Sequence, residues 1–158
     1  MRVRDIMTRP VRTISMQMNG YEAAKMMEKE GVRHLVVLDG ARVAGVLSDR
    51  DLRAAQPSML LVKEGSMRNK ALGVLHVAEM MSEAPFIVDE DAPAEVALRA
   101  MEQRKIGCVP VVDHQGALVG IVTGMDVVRL ALGLLGKTPQ RPVFPALTPA
   151  PTTRITKR

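Results

Sequence analysis

Two short motifs combine residue types that start helices and that bind phosphorylated ligands. The first, G-V-L-S-D-R-D, ends at Asp51 with Ser48 three residues before it. The second, G-I-V-T-G-M-D, ends at Asp126 with Thr123 at the matching position. A hydroxyl followed three residues later by a carboxylate is typical of a capping box. The same helix start offers free amides to a phosphate, and a carboxylate there can accept hydrogen bonds from ribose hydroxyls, so both interpretations stay open.

These motifs close the two copies of an internal repeat. Four stretches of the first copy return in the second at an offset of 74 or 75 residues. They pair residues 3–8 with 77–82, 10–11 with 85–86, 32–39 with 106–113, and 45–52 with 120–127. Two copies of one folding unit explain this recurrence.

Each copy has the pattern of a β-α-β-β-α unit. A short apolar run follows the proline, and a helix with an apolar stripe comes next, ended by Gly31 in the first copy. In the second copy Asp91 is expected to cap the helix, with Pro93 in its first turn. Two β-branched runs then flank a turn, which is a hairpin signature. The predicted hairpin strands are His34–Leu38, Val43–Leu47, Cys108–Val112 and Ala117–Val122.

The repeats predict the domain organisation and an α+β (α/β) fold class. We expect a first repeat at 1–56, an inter-repeat linker at 57–76, a second repeat at 77–136 and a tail at 137–158. A unit of about 60 residues is marginally stable alone, so the two repeats are expected to pack sheet against sheet. The linker is expected to be a loop with a short helix from Ser66. Prolines without an apolar period predict a disordered or extended tail.

Composition excludes several classes of function. The chain has 158 residues, 2% of them aromatic, and one cysteine. Few aromatics exclude a stacking platform for single-stranded nucleic acid, and one cysteine excludes a disulfide framework or a cysteine-based zinc site. Neither a bilayer-length apolar run nor a signal peptide is present, which predicts a cytoplasmic protein. No nucleophile has a plausible base, which argues against an enzyme, and no histidine spacing indicates a metal site.

The net charge of +5 is unevenly placed. Residues 1–136 are neutral overall, and the whole excess lies in the tail, which holds no acidic residue. A neutral body argues against nucleic-acid binding by the folded part of the chain. The tail leaves open a contact with nucleic acid or an acidic protein, which would show a steep salt dependence.

Taken together, the duplicated unit resembles a tandem pair of cystathionine-β-synthase (CBS) domains. The resemblance rests on the M-T…P opening (M-S…P in the second copy), the hLPVVD-like strand and the G-h-h-S/T-x-x-D ending, which follow in the same order in both copies over residues 1–136. It implies a Bateman module, in which two units related by pseudo-twofold symmetry enclose two clefts. Such modules commonly bind adenine nucleotides or related adenosyl ligands, and they commonly form dimers.

The resemblance also implies roles for individual residues. Asp51 and Asp126 match the ribose-binding aspartate of the family, and Ser48 and Thr123 match the hydroxyl near the ribose and phosphate. Phosphate contacts are expected from Arg33, His34 and Arg50. The border of the adenine is expected from Pro10, Val11, Pro85 and Phe86, and the rest of the same apolar wall from Leu35, Val109 and Pro110.

The two copies differ at positions where cations are expected. The second copy has Gly124-Met125 in place of Asp49-Arg50, and Gly107-Cys108 in place of Arg33-His34. It therefore lacks the cations of the first copy, and we expect the first copy to form the better nucleotide site. Phe86 is expected either to stack on a base or to fill the cleft.

Two functions of different classes follow. In the first, the chain is a stand-alone regulatory module that binds a ligand in the cleft between the repeats and signals to an unidentified partner protein. The expected ligand is AMP, ADP or ATP, with NAD, S-adenosylmethionine and cyclic di-AMP as alternatives, and no catalytic cofactor is expected. In the second, the chain is an interaction scaffold without a small ligand, and homodimerisation is its function.

Overall fold

A computed structural model describes residues 1–56 and 65–136, with side chains at 1–56 and 70–136. A 3-10 helix at Val3–Asp5 precedes the longer elements. In chain order these are β1 (Thr13–Ser15), α1 (Gly20–Glu30), β2 (His34–Asp39), β3 (Arg42–Ser48), α2 (Asp49–Ala54), α3 (Gly65–Val74), α4 (Val77–Met80), β4 (Ser82–Glu83), β5 (Val88–Asp89), α5 (Ala94–Arg104), β6 (Cys108–Val112), β7 (Leu118–Thr123) and α6 (Gly124–Leu134). The predicted β-α-β-β-α order is confirmed in both repeats.

The strands form two sheets of the same design. The first sheet has the order β1-β2-β3-β4, and the second has the order β5-β6-β7. In both, the first strand is parallel to the second, and the second and third form an antiparallel hairpin. Val36 of the first sheet and Cys108 and Ile121 of the second form one buried cluster, so the sheets pack against each other as expected.

The central helices α1 and α5 begin and end differently. Asn19 caps α1, with its side chain accepting from the amide of Glu22, and Gly31 ends it at a φ of 64°. Pro93, not Asp91, occupies the N-cap position of α5, because the helix begins only at Ala94, and the Asp91 carboxylate forms ion pairs with Arg2 and Arg4. At the end of α5 the left-handed position that favours glycine is taken by a lysine.

Each repeat exchanges its opening segment (residues 1–8 or 77–83) with the other repeat. Thr8 forms an antiparallel bridge to β7, and Ser82 pairs with β3 at the edge of the first sheet. The two pairings occupy matching positions, which is pseudo-symmetry at the level of individual contacts. The sequence repeats and the packed units therefore have different boundaries.

The exchanged segments also complete the two cores. Val3 is fully buried in the second core, where Ile6 and Met7 pack beside it. Val77 is fully buried in the first core, with Met80 and Met81 beside it. Neither repeat alone would bury these side chains, so the exchange joins the two halves into one folding unit.

Two glycines make the exchange possible. A Cβ at Gly45 in β3 would lie 2.6 Å from the sulfur of Met81, and one at Gly120 in β7 would overlap the side chain of Met7. The glycines that open both sequence motifs are therefore required by close packing of the exchanged segments. This structural requirement is separate from any contact with a ligand.

The described part of the predicted linker is packed against the first repeat. Helix α3 begins at Gly65, and its Leu72 is 1% exposed in the first core. The backbone oxygen of Leu72 would lie 3.1 Å from a Cβ at Gly20, which explains the glycine at the start of α1. Residues 57–64 and the predicted tail lie outside the described part of the chain. Over the described ranges, no helix has the length and apolar content needed to cross a bilayer.

Candidate functional site: a cleft between the two repeats

The first motif forms a helix start with a carboxylate that is only partly used. Ser48 caps α2 and accepts from the amide of Asp51. Asp51 Oδ2 in turn accepts from the Ser48 amide at 2.8 Å and from its hydroxyl at 2.6 Å. Among the residues that the structure describes, no donor bonds to Asp51 Oδ1. The half-buried carboxylate thus keeps one oxygen available for hydroxyl groups of a ligand.

The second motif has the same cap and a fully used carboxylate. Asp126 Oδ2 accepts from the amide and the hydroxyl of Thr123, both at 2.7 Å. Its other oxygen accepts from the Thr8 hydroxyl at 2.6 Å and from Arg129 Nη1 at 2.8 Å. Asp126 is only 3% exposed. Both capping boxes predicted from the spacing are present, and only one leaves an oxygen open.

A cavity of about 740 Å³ lies beside Asp51 and is built from both repeats. This volume is within the range of about 300–1,000 Å³ that small-molecule sites occupy. Seven of the expected site residues line it, and they are Arg33, His34, Ser48, Arg50, Asp51, Pro85 and Phe86. Asp51 of the first repeat thus shares a cavity with the proline-following strand of the second repeat. The site is composite and does not belong to one copy.

The other expected site residues lie elsewhere. Leu35, Val109 and Pro110 do not line the cavity, because their side chains are fully buried inside the two sheets. Val11 packs against the cluster between the sheets, and Pro10 is exposed and outside the cavity. None of these five expected positions lines the cavity. The three buried strand residues cannot do so because their side chains point into the core, and Pro10 and Val11 lie outside the lining.

Thr123 and Asp126 belong to the other side of the molecule. Asp126, but not Thr123, lines a second cavity of about 430 Å³ between α6 and the first opening segment. Thr8, Arg129 and Leu130 are among its other lining residues. Two of these, Thr8 and Arg129, hold the carboxylate that the family resemblance assigns to ribose.

The second copy lacks the cations of the first at the aligned positions, yet it contributes two others to this cavity. Arg104 and Lys105, at the end of α5, line it together with Gly107 and Cys108. The Arg104 guanidinium lies 4.7 Å from the ring centroid of Phe86, so this ring carries a cation on one face. Comparing only the aligned pairs missed these residues. The signal for one of them was a lysine at the helix end where the first copy has Gly31.

Burial changes the pKa of two groups that line the cavity. Desolvation lowers the pKa of His34, and the charges of Asp49 and Asp51 oppose that shift in part. The ring lies close to Gly107, where a Cβ would be 2.7 Å from His34 Nε2. Burial, with a smaller contribution from Asp51, raises the pKa of the Cys108 thiol to about 12. At neutral pH the cavity therefore holds a neutral imidazole and a protonated thiol.

A separate polar cluster lies on the outer edge of the second sheet. His114 Nδ1 is 3.1 Å from Asp89 and its Nε2 is 3.0 Å from Asp91. Asp91 also forms ion pairs with Arg2 at 2.7 Å and Arg4 at 2.6 Å. Both ring nitrogens face a carboxylate, which suits an imidazolium that donates twice. No spacing in the sequence indicated this cluster, because the hairpin turn and the exchanged opening segment bring its members together.

Comparison with known proteins agrees with this architecture. The CBS domain family matches residues 3–58 and 77–133. A CBS domain-containing protein of Dictyostelium discoideum is 28% identical over 138 residues, which is 87% of this chain and 95% of that protein. Larger enzymes also match, but the chain spans only 23% or 24% of their length.

Solved CBS-domain structures superpose on nearly all of the described chain. The CBS domain pair of protein MJ0100, in complex with 5′-methylthioadenosine and S-adenosyl-L-methionine, is 29% identical with a TM-score of 0.69, and the match covers 85% of this chain and 98% of that chain. CBSX2 from Arabidopsis thaliana, in complex with AMP, is 27% identical with a TM-score of 0.68, covering 84% and 97%. The two family matches fall on the two repeats, and the chain therefore belongs to the CBS domain family as a tandem pair of its domains.

Proposed function

We propose that this chain is a regulatory module that binds an adenine nucleotide or adenosyl ligand in the cavity beside Asp51 and signals its occupancy to a partner protein. The open oxygen of Asp51 is the observation that carries this proposal. Asp51 lies at the start of α2 and lines a cavity large enough for a nucleotide. The AMP and adenosyl complexes of the related CBS pairs support this ligand class.

Regulation fits the cavity better than catalysis. The Cys108 thiol stays protonated at neutral pH because its pKa is raised to about 12, and a thiol is a weak nucleophile compared with a thiolate. The Ser48 hydroxyl donates to Asp51 and caps α2. Ser48 and Asp51 thus hold the start of α2 in place. A ligand that contacts both repeats shifts the population of their relative arrangements, provided that it binds one arrangement more tightly than the other. A partner protein can sense that shift.

A thermal-melt screen tests the proposal. The ligands are AMP, ADP, ATP, NAD, S-adenosylmethionine and cyclic di-AMP, each at a concentration well above its expected dissociation constant. A ligand at about 100 times its dissociation constant adds roughly 2.7 kcal/mol to the free energy of unfolding, which raises Tm by several degrees.

The matched variant is Asp51→Ala. Loss of hydrogen bonds to a charged acceptor is expected to weaken the ligand by about 10- to 100-fold. The shift in Tm should therefore fall to about half or less at the same ligand concentration. Unchanged affinity in a folded Asp51→Ala protein would show that Asp51 is not part of the binding site. If none of the ligands shifts the Tm of the wild-type protein, the proposal is overturned.

A scaffold function is favoured by one surface. Helix α6 exposes Met125 at 59% and Val128 at 48%, three residues apart on one helix face, and Leu135 directly after the helix is 71% exposed. An apolar stripe on an exposed helix is suited to pairing with the same helix of a second copy. We therefore propose a homodimer through α6, with Val128→Arg expected to shift the mass measured by light scattering from dimer to monomer. A monomeric wild-type protein would contradict it.

A further inference from the structure

The cavity beside Asp51 has an excess of positive charge. Arg33 and Arg50 of the first repeat and Arg104 and Lys105 of the second repeat line it, and all four side chains are exposed. Over residues 1–56 and 70–136, none of the four has an ion-pair partner. Of the lining acids, Asp49 is paired with Arg53 outside the lining, which leaves Asp51 and Glu83 to balance four cations.

One of these cations is held in an unfavourable backbone conformation. Lys105 ends α5 at a φ of 56°, in the left-handed region, whereas the first repeat has Gly31 at the matching position with a φ of 64°. A residue with a Cβ is strained in this region, and such strain often accompanies functional sites. A glycine would end α5 more stably, so a lysine at this position costs conformational free energy. A role in binding at the cavity would account for the lysine.

We propose that the cavity selects a nucleoside di- or triphosphate, and that Lys105 is a specificity-determining residue that binds the phosphate chain together with Arg33, Arg50 and Arg104. This inference rests on the proposed function, because it assumes that the nucleoside occupies the side of the cavity at Asp51. Four cations from two repeats suit an anion that extends beyond one phosphate. The sulfonium of S-adenosylmethionine is repelled by the same charges.

Titration calorimetry with AMP, ADP, ATP and S-adenosylmethionine tests the selectivity. We expect ADP and ATP to bind at least about tenfold more tightly than AMP, since each charge-assisted contact to an added phosphate is worth a factor of ten or more. S-adenosylmethionine is expected to bind most weakly. Raising the salt concentration should weaken ADP more than AMP, because exposed charges are screened.

Lys105→Gly separates the binding role from the structural one. This variant removes the strain and the charge together, so its Tm should rise while its affinity for ADP falls by about tenfold and its affinity for AMP changes less. Lys105→Ala is the matched variant, because it removes the charge and keeps a Cβ at the same φ. Its affinity for ADP should fall as in Lys105→Gly, with no rise in Tm.

The outcomes distinguish this inference from the function on which it rests. Equal affinity for AMP and ADP, or unchanged ADP affinity in Lys105→Gly, would overturn the selection of a phosphate chain and leave a nucleoside site at Asp51. Weaker binding of every nucleotide by Asp51→Ala, together with tighter binding of ADP than of AMP by the wild-type protein, would support both the proposed function and the selection of a phosphate chain. Absence of binding by any of the four ligands would overturn the proposed function itself.

Discussion

Asp51 and Asp126 occupy the same position of the same motif, yet their surroundings leave them with different capacities. Both accept two bonds on one oxygen from the residue that caps their helix. The second oxygen of Asp126 is taken by Thr8 and Arg129, and within the described residues that of Asp51 is open. The motif alone therefore specifies the helix start, and its neighbours decide whether a ligand can use the carboxylate.

The neighbours differ by small changes in sequence. Arg129 lies one turn along α6 from Asp126, and the first repeat has Ala54 at that offset. Thr8 of the opening segment corresponds to Ser82, which lines the cavity and, among the described residues, does not bond to Asp51. One arginine and the position of one hydroxyl thus distinguish a fully bonded carboxylate from one with an open oxygen.

The largest expected effect concerns stability. Asp126→Ala should lower the free energy of unfolding by about 3 kcal/mol, since it removes the capping-box bonds to Thr123 and leaves Thr8 and Arg129 without their acceptor. Asp51→Ala removes only the capping-box bonds to Ser48 and should cost about 1 kcal/mol. Urea unfolding of the two variants measures the difference, and equal losses would contradict the distinction between the carboxylates.

A second comparison concerns the exchanged opening segments. Gly45→Ala and Gly120→Ala should each cost about 1–3 kcal/mol, because a Cβ would meet the methionine side chain that packs on the glycine. Gly73→Ala is the control, since nothing lies within 4 Å of a Cβ at that position of α3. It should be neutral or stabilising. A loss at Gly73 as large as at Gly45 would show that close packing is not the cause.

The smallest expected effect separates two histidines by the sign of their pH dependence. Hydrogen bonding to Asp89, with the charges of Asp89 and Asp91, raises the pKa of His114 above its usual 6.5. Protonation therefore favours the folded state, and this stabilisation is complete below about pH 6.5 and is lost as the pH rises through the folded pKa. Burial lowers the pKa of His34, so its protonation disfavours the folded state as the pH falls below about 6.5.

Thermal melts between pH 5 and 8 measure both contributions. His114→Gln should remove stabilisation at the acidic end of this range, whereas His34→Gln should remove destabilisation there. Changes of the same sign in the two variants would contradict the assigned environments.

Local patterns predicted the fold well because they depend on neighbouring residues. The capping boxes, the hairpins and the end of α1 at Gly31 all follow from spacing and turn chemistry. The exchange of opening segments did not follow, since Val3 and Val77 look alike in sequence and only packing shows which core each one fills.

The candidate site was predicted in part for the same reason. Seven residues expected from the motifs line one cavity, whereas Leu35 and Val109 turned out to be core residues. Alternation along a strand determines which side chains face a cleft, and a continuous apolar run does not display that alternation. The role of Lys105 did not follow from the aligned motifs, because it lies outside them and reaches the cavity only through the packing of the two repeats.

Calorimetric titration of ADP tests the central claim most directly, because it counts sites as well as measuring affinity. We predict one ligand per chain in the wild-type protein, the same single site in Arg129→Ala, and affinity about 10- to 100-fold lower in a folded Asp51→Ala protein. Two ligands per chain, or unchanged affinity in Asp51→Ala, would show that the open carboxylate is not what defines the site.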